Sequence, residues 1–239
     1  AWGAAGLDYD LDGDEDYYVA NGYFSGKTTK DLWSLYWRQV VARTPDRSGE
    51  KISDDLSDKI DSNAFSGDKE NEEIIKLENK DPDTVSFSGF EKNPLFTLAG
   101  GKFYQSNYSV GLEFKYDARS IVAADIDRDG DQDLIIRNLQ KRPIQIIENR
   151  FPPKANFIEL RPEIFGRAAI GALVQLECNG KKQIRQISAG DGFLSQRPFN
   201  AFFGLGSCIG PAKVRISWED GSSSGYNNLS VNSRYRLTK

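Results

Sequence analysis

Residues 7–22 read LDYDLDGDEDYYVANG, and residues 122–138 read VAADIDRDGDQDLIIRN. Aspartate occupies every second position in both: Asp8, Asp10, Asp12, Asp14 and Asp16, then Asp125, Asp127, Asp129, Asp131 and Asp133. Each stretch fits the pattern D-x-D-x-D-G-x-x-D, with Gly13 and Gly130 at the sixth place. Carboxylates packed this closely repel one another unless a cation answers them. A calcium ion takes six to eight oxygens, and alternate carboxylates of a tight loop converge on one point when the chain turns sharply. Glycine supplies that turn, because it tolerates positive φ without a Cβ clash. The seventh residues, Asp14 and Asp131, are expected to lend a backbone carbonyl, with water completing the shell. The pattern predicts two Ca²⁺ sites with these ten aspartates as the metal residues.

Other readings fit less well. An EF-hand needs Glu at loop position 12 between two helices, and position 12 is Val19 or Ile136, each inside a strand-like run. Mg²⁺ keeps several waters and fits fewer protein carboxylates. Two solvated acidic turns would explain Asp and Gly by turn chemistry alone, yet would leave the repulsion unanswered twice. A glycosidase pair needs two carboxyl groups in different environments across a cleft, whereas these aspartates sit alike in turns. No catalytic constellation is visible, and the chain is read as a non-enzyme.

Working outward, residues 17–21 and 134–138 are short β-type runs, and Ser120 to Asp125 forms a strand leading into the second loop. Each unit is thus strand, Asp loop, strand. From about 24 to 82 the character changes to a helical insertion. TTKDLWSLYWRQVVAR opens with a cap-like Thr28 and Asp31, and Ile52, Leu56 and Ile60 mark a second amphipathic stretch. From Val85 strand signals resume, including a hairpin at Gly100-Gly101. Pro152 and Pro153 then make a stiff linker. Beyond it lie alternating runs with a hairpin at Asn179-Gly180, which predict an all-β domain. The expected domains are 1–150 and 151–239.

Composition excludes several classes. The net charge of −4 and pI near 5.1 argue against nucleic acid or an anionic membrane as main partner. No apolar run reaches the roughly 18 residues needed to span a bilayer. Histidine is absent, which removes imidazole general bases, Ser-His-Asp triads and histidine zinc sites. Cys178 and Cys208 either close one disulfide, implying an oxidising compartment, or remain two buried thiols.

Trp33, Tyr36 and Trp37 are read as helix core rather than a sugar-stacking platform. Phe193 and the Phe199 to Phe203 run are read as sandwich core. Arg161, Arg167, Arg185 and Arg197 are scattered and read as solvated. Gly204 and Gly206 in GLG do not form a phosphate loop, since no strand–loop–helix follows.

The strand–DxDxDGxxD–strand unit resembles the calcium-binding blade repeat of FG-GAP (VCBS, integrin α-type) β-propellers. AWGAAGLDYDLDGDEDYYVANGY and SGFEKNPLFTLAGGKFYQ…ARSIVAADIDRDGDQDLIIRN look like blades of the cartilage-acidic-protein type. RAAIGALVQLECNGKKQIRQISAGDGFLSQ, FFGLG and VRISWEDG resemble the ASPIC/UnbV domain that follows such propellers. The resemblance implies a mainly β chain: a partial propeller with a helical insertion, then a small sandwich-like domain. It also implies a secreted, cell-surface or periplasmic protein that binds other protein chains or surface glycans. A complete propeller needs more blades, so the chain is expected to be part of a larger protein or complex. The rival expectation is a scaffold or subunit of a polysaccharide-acting enzyme, with Glu113 or Asp191 and a neighbour as its acids.

Overall fold

The computed structural model describes residues 1–23, 25, 89–139, 142–151 and 155–239. These residues are mainly β, with no helix among them. The predicted helical insertion, with Trp33, Tyr36 and Trp37, and the Pro152-Pro153 linker lie outside the described residues.

Strands β1 (Gly3–Leu7), β2 (Asp16–Ala20), β3 (Leu95–Ala99) and β4 (Lys102–Gln105) form an antiparallel meander in that order. Strands β5 (Ala118–Ala124), β6 (Asp133–Asn138) and β7 (Ile144–Ile147) form a second antiparallel sheet. The β3–β4 hairpin turns at Gly100 and Gly101, with φ of 57° and 76°, where a side chain would be strained. Alternation buries one face of each sheet, and Leu7, Tyr18, Leu95, Ile121 and Ile136 meet in one core.

The remaining strands are β8 (Asn156–Ile164), β9 (Arg167–Ala168), β10 (Leu173–Cys178), β11 (Lys181–Gln186), β12 (Ala201–Gly206), β13 (Ala212–Ser217), β14 (Ser223–Leu229) and β15 (Ser233–Thr238). One sheet runs β11-β10-β13-β14 and the other β12-β8-β15, with β9 on β8. All pairs are antiparallel except β15 on β8, which is parallel. Both sheets feed one core, including Ile158, Leu160, Val174, Phe203, Ile216 and Trp218. Cys178 and Cys208 are bonded within it, so the disulfide reading holds. Cys178 ends a strand of one sheet and Cys208 follows a strand of the other, so the bond ties the two layers.

Three expectations need correction. Phe202 is not sandwich core, because alternation along β12 turns it to the opposite face, where it packs with Leu11 and Phe157. Phe193 is not sandwich core: it is 36% exposed and its ring lies 5.6 Å from that of Trp2, across the boundary between the N-terminal and C-terminal sheets. Arg185 is not a solvated arginine. Its side chain is 14% exposed and pairs with Glu15 at 3.2 Å.

Candidate metal centre

Antiparallel register places both Asp loops alike. Leu7 faces Asp16 at the base of the first loop, and Ala124 faces Asp133 at the base of the second. Within the loops the backbone turns left-handed at the fourth and sixth positions, Leu11 (φ 59°) and Gly13 (φ 92°), then Arg128 (φ 69°) and Gly130 (φ 107°). The glycines were legible in the sequence. Leu11 and Arg128 were not, because neither residue type signals positive φ.

Side-chain oxygens pin each turn. Asp12 and Asp14 donate backbone N–H to the Oδ1 atoms of Asp10 and Asp12 at 3.4 and 2.8 Å. Asp129 and Asp131 repeat this on Asp127 and Asp129, both at 3.2 Å. One carboxylate oxygen each from Asp8, Asp10 and Asp12 lies within 4.8 Å of the others, and the same holds for Asp125, Asp127 and Asp129. Six of the ten predicted residues therefore converge in two groups of three.

The other four have different surroundings. Asp16 accepts the Leu98 N–H at 2.8 Å through Oδ1, and its buried Oδ2 has no partner. Asp133 is satisfied on both oxygens, by the amides of Asn149 at 2.8 Å and Ile126 at 2.9 Å. Asp14, expected to leave its side chain free, takes Lys181 Nζ at 3.2 Å. Asp131, expected to do the same, is buried with Oδ1 unpartnered.

Asp8 is 1% exposed. Its Oδ2 accepts from the amides of Gly13 (2.9 Å) and Gly204 (3.1 Å), while its buried Oδ1 accepts nothing. Asp125 Oδ2 is held by the Arg234 guanidinium, and its buried Oδ1 is likewise unpartnered. Buried polar atoms nearly always have partners, so four orphaned carboxylate oxygens in two short loops are well suited to a hard cation.

Burial, then the charges of Asp12 and Asp10, pushes Asp8 up to about 7. Burial raises Asp16 to about 7 despite the Leu98 amide. Burial, then Asp129 and Asp133, raises Asp131 to about 7. An acid whose pKa rises on folding binds more protons folded than unfolded between its ordinary 3.8 and the raised value. Its contribution to stability is thus full below the ordinary pKa and lost as pH climbs through about 7. With no histidine in the chain, no other side chain ordinarily titrates from about pH 5 to 8. Metal-stripped protein should therefore melt higher near pH 5.5 than near pH 8. A melting temperature that is flat or rises with pH over that range would count against these buried carboxylates.

The C-terminal sheets supply residues that sequence reasoning missed. Lys181 Nζ donates to the Asp12 carbonyl at 2.8 Å, and the Gly206 amide donates to that of Leu11, also at 2.8 Å. Gln183 Nε2 holds the Gly204 carbonyl at 2.6 Å. Arg234 spans Asp125 and Glu159 and lies over the Phe157 ring. Leu11, Phe157 and Phe202 form a small apolar cluster between the first loop and β8 and β12. A glycine inside a strand is a known sign of close backbone approach, and Gly204 carried that signal unread. Arg234 carried none. Glu113 pairs with Lys92 and lines a cavity together with Asp117, and Asp191 pairs with Arg197.

No curated protein matches the chain. Residues 165–239, from just before β9 to the end of the chain, match the protein family described as ASPIC and UnbV.

Proposed function

We propose that the chain is a calcium-stabilised binding or assembly module, built from two FG-GAP-type propeller blades followed by the ASPIC/UnbV-like β unit. The observation that carries this reading is the set of orphaned, buried carboxylate oxygens on Asp8, Asp16, Asp125 and Asp131, in two loops of like backbone. Asp8, Asp10 and Asp12 would hold one ion, and Asp125, Asp127 and Asp129 the other. Bound calcium supplies positive charge that neutralises each loop and ties its two strands together. The role is structural, giving a rigid surface for other protein chains or surface glycans. Support comes from the antiparallel four-stranded order β1–β4, since propellers are built of four-stranded sheets, and the Cys178–Cys208 bond suits an extracellular, cell-surface or periplasmic setting.

Calorimetric titration of metal-stripped protein tests the reading, with magnesium as comparator. Two calcium ions should bind, and magnesium should bind more weakly. No heat with calcium, together with no calcium found by elemental analysis, would sink it.

A further inference from the structure

The first Asp loop is not a free-standing hairpin tip. Strand β12 lies against it so closely that a Cβ on Gly204 would sit 2.2 Å from Asp8 Oδ2 and 2.6 Å from Leu11 Cα. The Gly204 amide holds Asp8 Oδ2, the Gly206 amide holds the Leu11 carbonyl, and Lys181 holds the Asp12 carbonyl. Gln183 fixes the Gly204 carbonyl from the neighbouring sheet. Consequently one oxygen of Asp8 is engaged by amides, and Oδ1 alone is left buried and unpartnered.

We infer that the C-terminal β unit is part of the first calcium site, with Gly204 as a positioning residue that presents Asp8 Oδ1 to the ion. This rests on the calcium reading above. By reciprocity, whatever affinity the unit adds to calcium, calcium adds to the docking of β12 on the loop. The second loop meets the C-terminal unit differently, through the Arg234 side chain and the Phe157 ring, so it serves as an internal control.

Three full-length proteins decide the matter by calcium titration: wild type, Gly204→Ala and Gly225→Ala. A Cβ at Gly225, in β14, meets nothing within 4 Å, and its backbone is not left-handed, so that variant bears the general cost of a side chain in a strand of the same unit without touching the first loop. Gly204→Ala should weaken one of the two calcium sites at least tenfold and leave the other unchanged. Gly225→Ala should leave both affinities within twofold of wild type. If Gly204→Ala does not fold, Gln183→Leu replaces it, since it removes the donor to the Gly204 carbonyl at nearly the same side-chain size. It should weaken the same single site by about threefold or more. Amide hydrogen exchange on wild type gives a second readout. Calcium should slow the Gly204 and Gly206 amides while leaving β13 unaffected. Two wild-type-like affinities in Gly204→Ala, or in Gln183→Leu where it stands in, would overturn the inference, as would calcium-independent exchange at Gly204. Both results leave the calcium reading intact. A wild type that binds no calcium would overturn both together.

Discussion

Removing calcium with excess chelator is expected to lower the melting temperature by roughly 5–10 °C for each ion lost. A ligand that binds only the folded state stabilises it by RT ln(1 + [L]/Kd), about 2.7 kcal/mol at a hundredfold excess over Kd. For a chain of this size each kcal/mol moves the midpoint by roughly 2–4 °C. The metal-free state has a specific weakness here. Asp8, Asp16 and Asp131 are buried among like charges with orphaned oxygens, and a protein relieves such groups only by protonation, hydration or opening. Scanning calorimetry at pH 7.5 with and without chelator measures the shift. Identical melting curves would count against a structural role for the ion.

The second large effect belongs to the disulfide. Cys178 and Cys208 are 30 residues apart, and closing a loop of that length restrains the unfolded chain by about 3–4 kcal/mol in the chain-entropy treatment. The bond joins β10 in one sheet to the end of β12 in the other, and both residues lie in the shared core. Replacing both by alanine should lower the melting temperature by roughly 6–16 °C. A shift below about 2 °C would mean that the core alone holds the layers. Because β12 also carries Gly204, the double variant should loosen the first calcium loop as well, which the same titrations would detect.

Much of this architecture was legible because its cues are local. The Asp loops announce themselves within nine residues, their flanking strands follow from β-type runs, and the turns at Gly100-Gly101 and Asn179-Gly180 fix two hairpins. Strands with weak local character were harder to read. SSGYNNL in β14 lacks the β-branched alternation that marks a strand, went unread, and becomes a strand through its partner β13. GAAGL in β1, equally weak, was legible only as the upstream half of the strand–loop–strand unit and pairs with β2. At the candidate site the ligand types were legible, but the support was not. Gly204 reaches Asp8 across 196 residues and Arg234 reaches Asp125 across 109, and no short window of sequence contains both ends of such a contact. Asp131 shows the converse limit. Its place in the pattern predicted an idle side chain, and burial by tertiary packing left its Oδ1 unpartnered and pushed the carboxyl up to about 7.

The parallel pairing of β15 with β8 has a consequence in time. β8 is the centre of its sheet, and one of its two flanking partners is β15. Residues 156–164 therefore wait for residues 233–238 before that edge can close. Contacts this distant in sequence form late and slowly, and domains fold as units while synthesis proceeds at about 5–20 residues per second. The aspartates near residue 8 emerge long before β12, which seals them and belongs to a unit completed only by residues 233–238. At that rate the nascent chain carries, for roughly 10–40 s, an acidic loop whose cover has not been made.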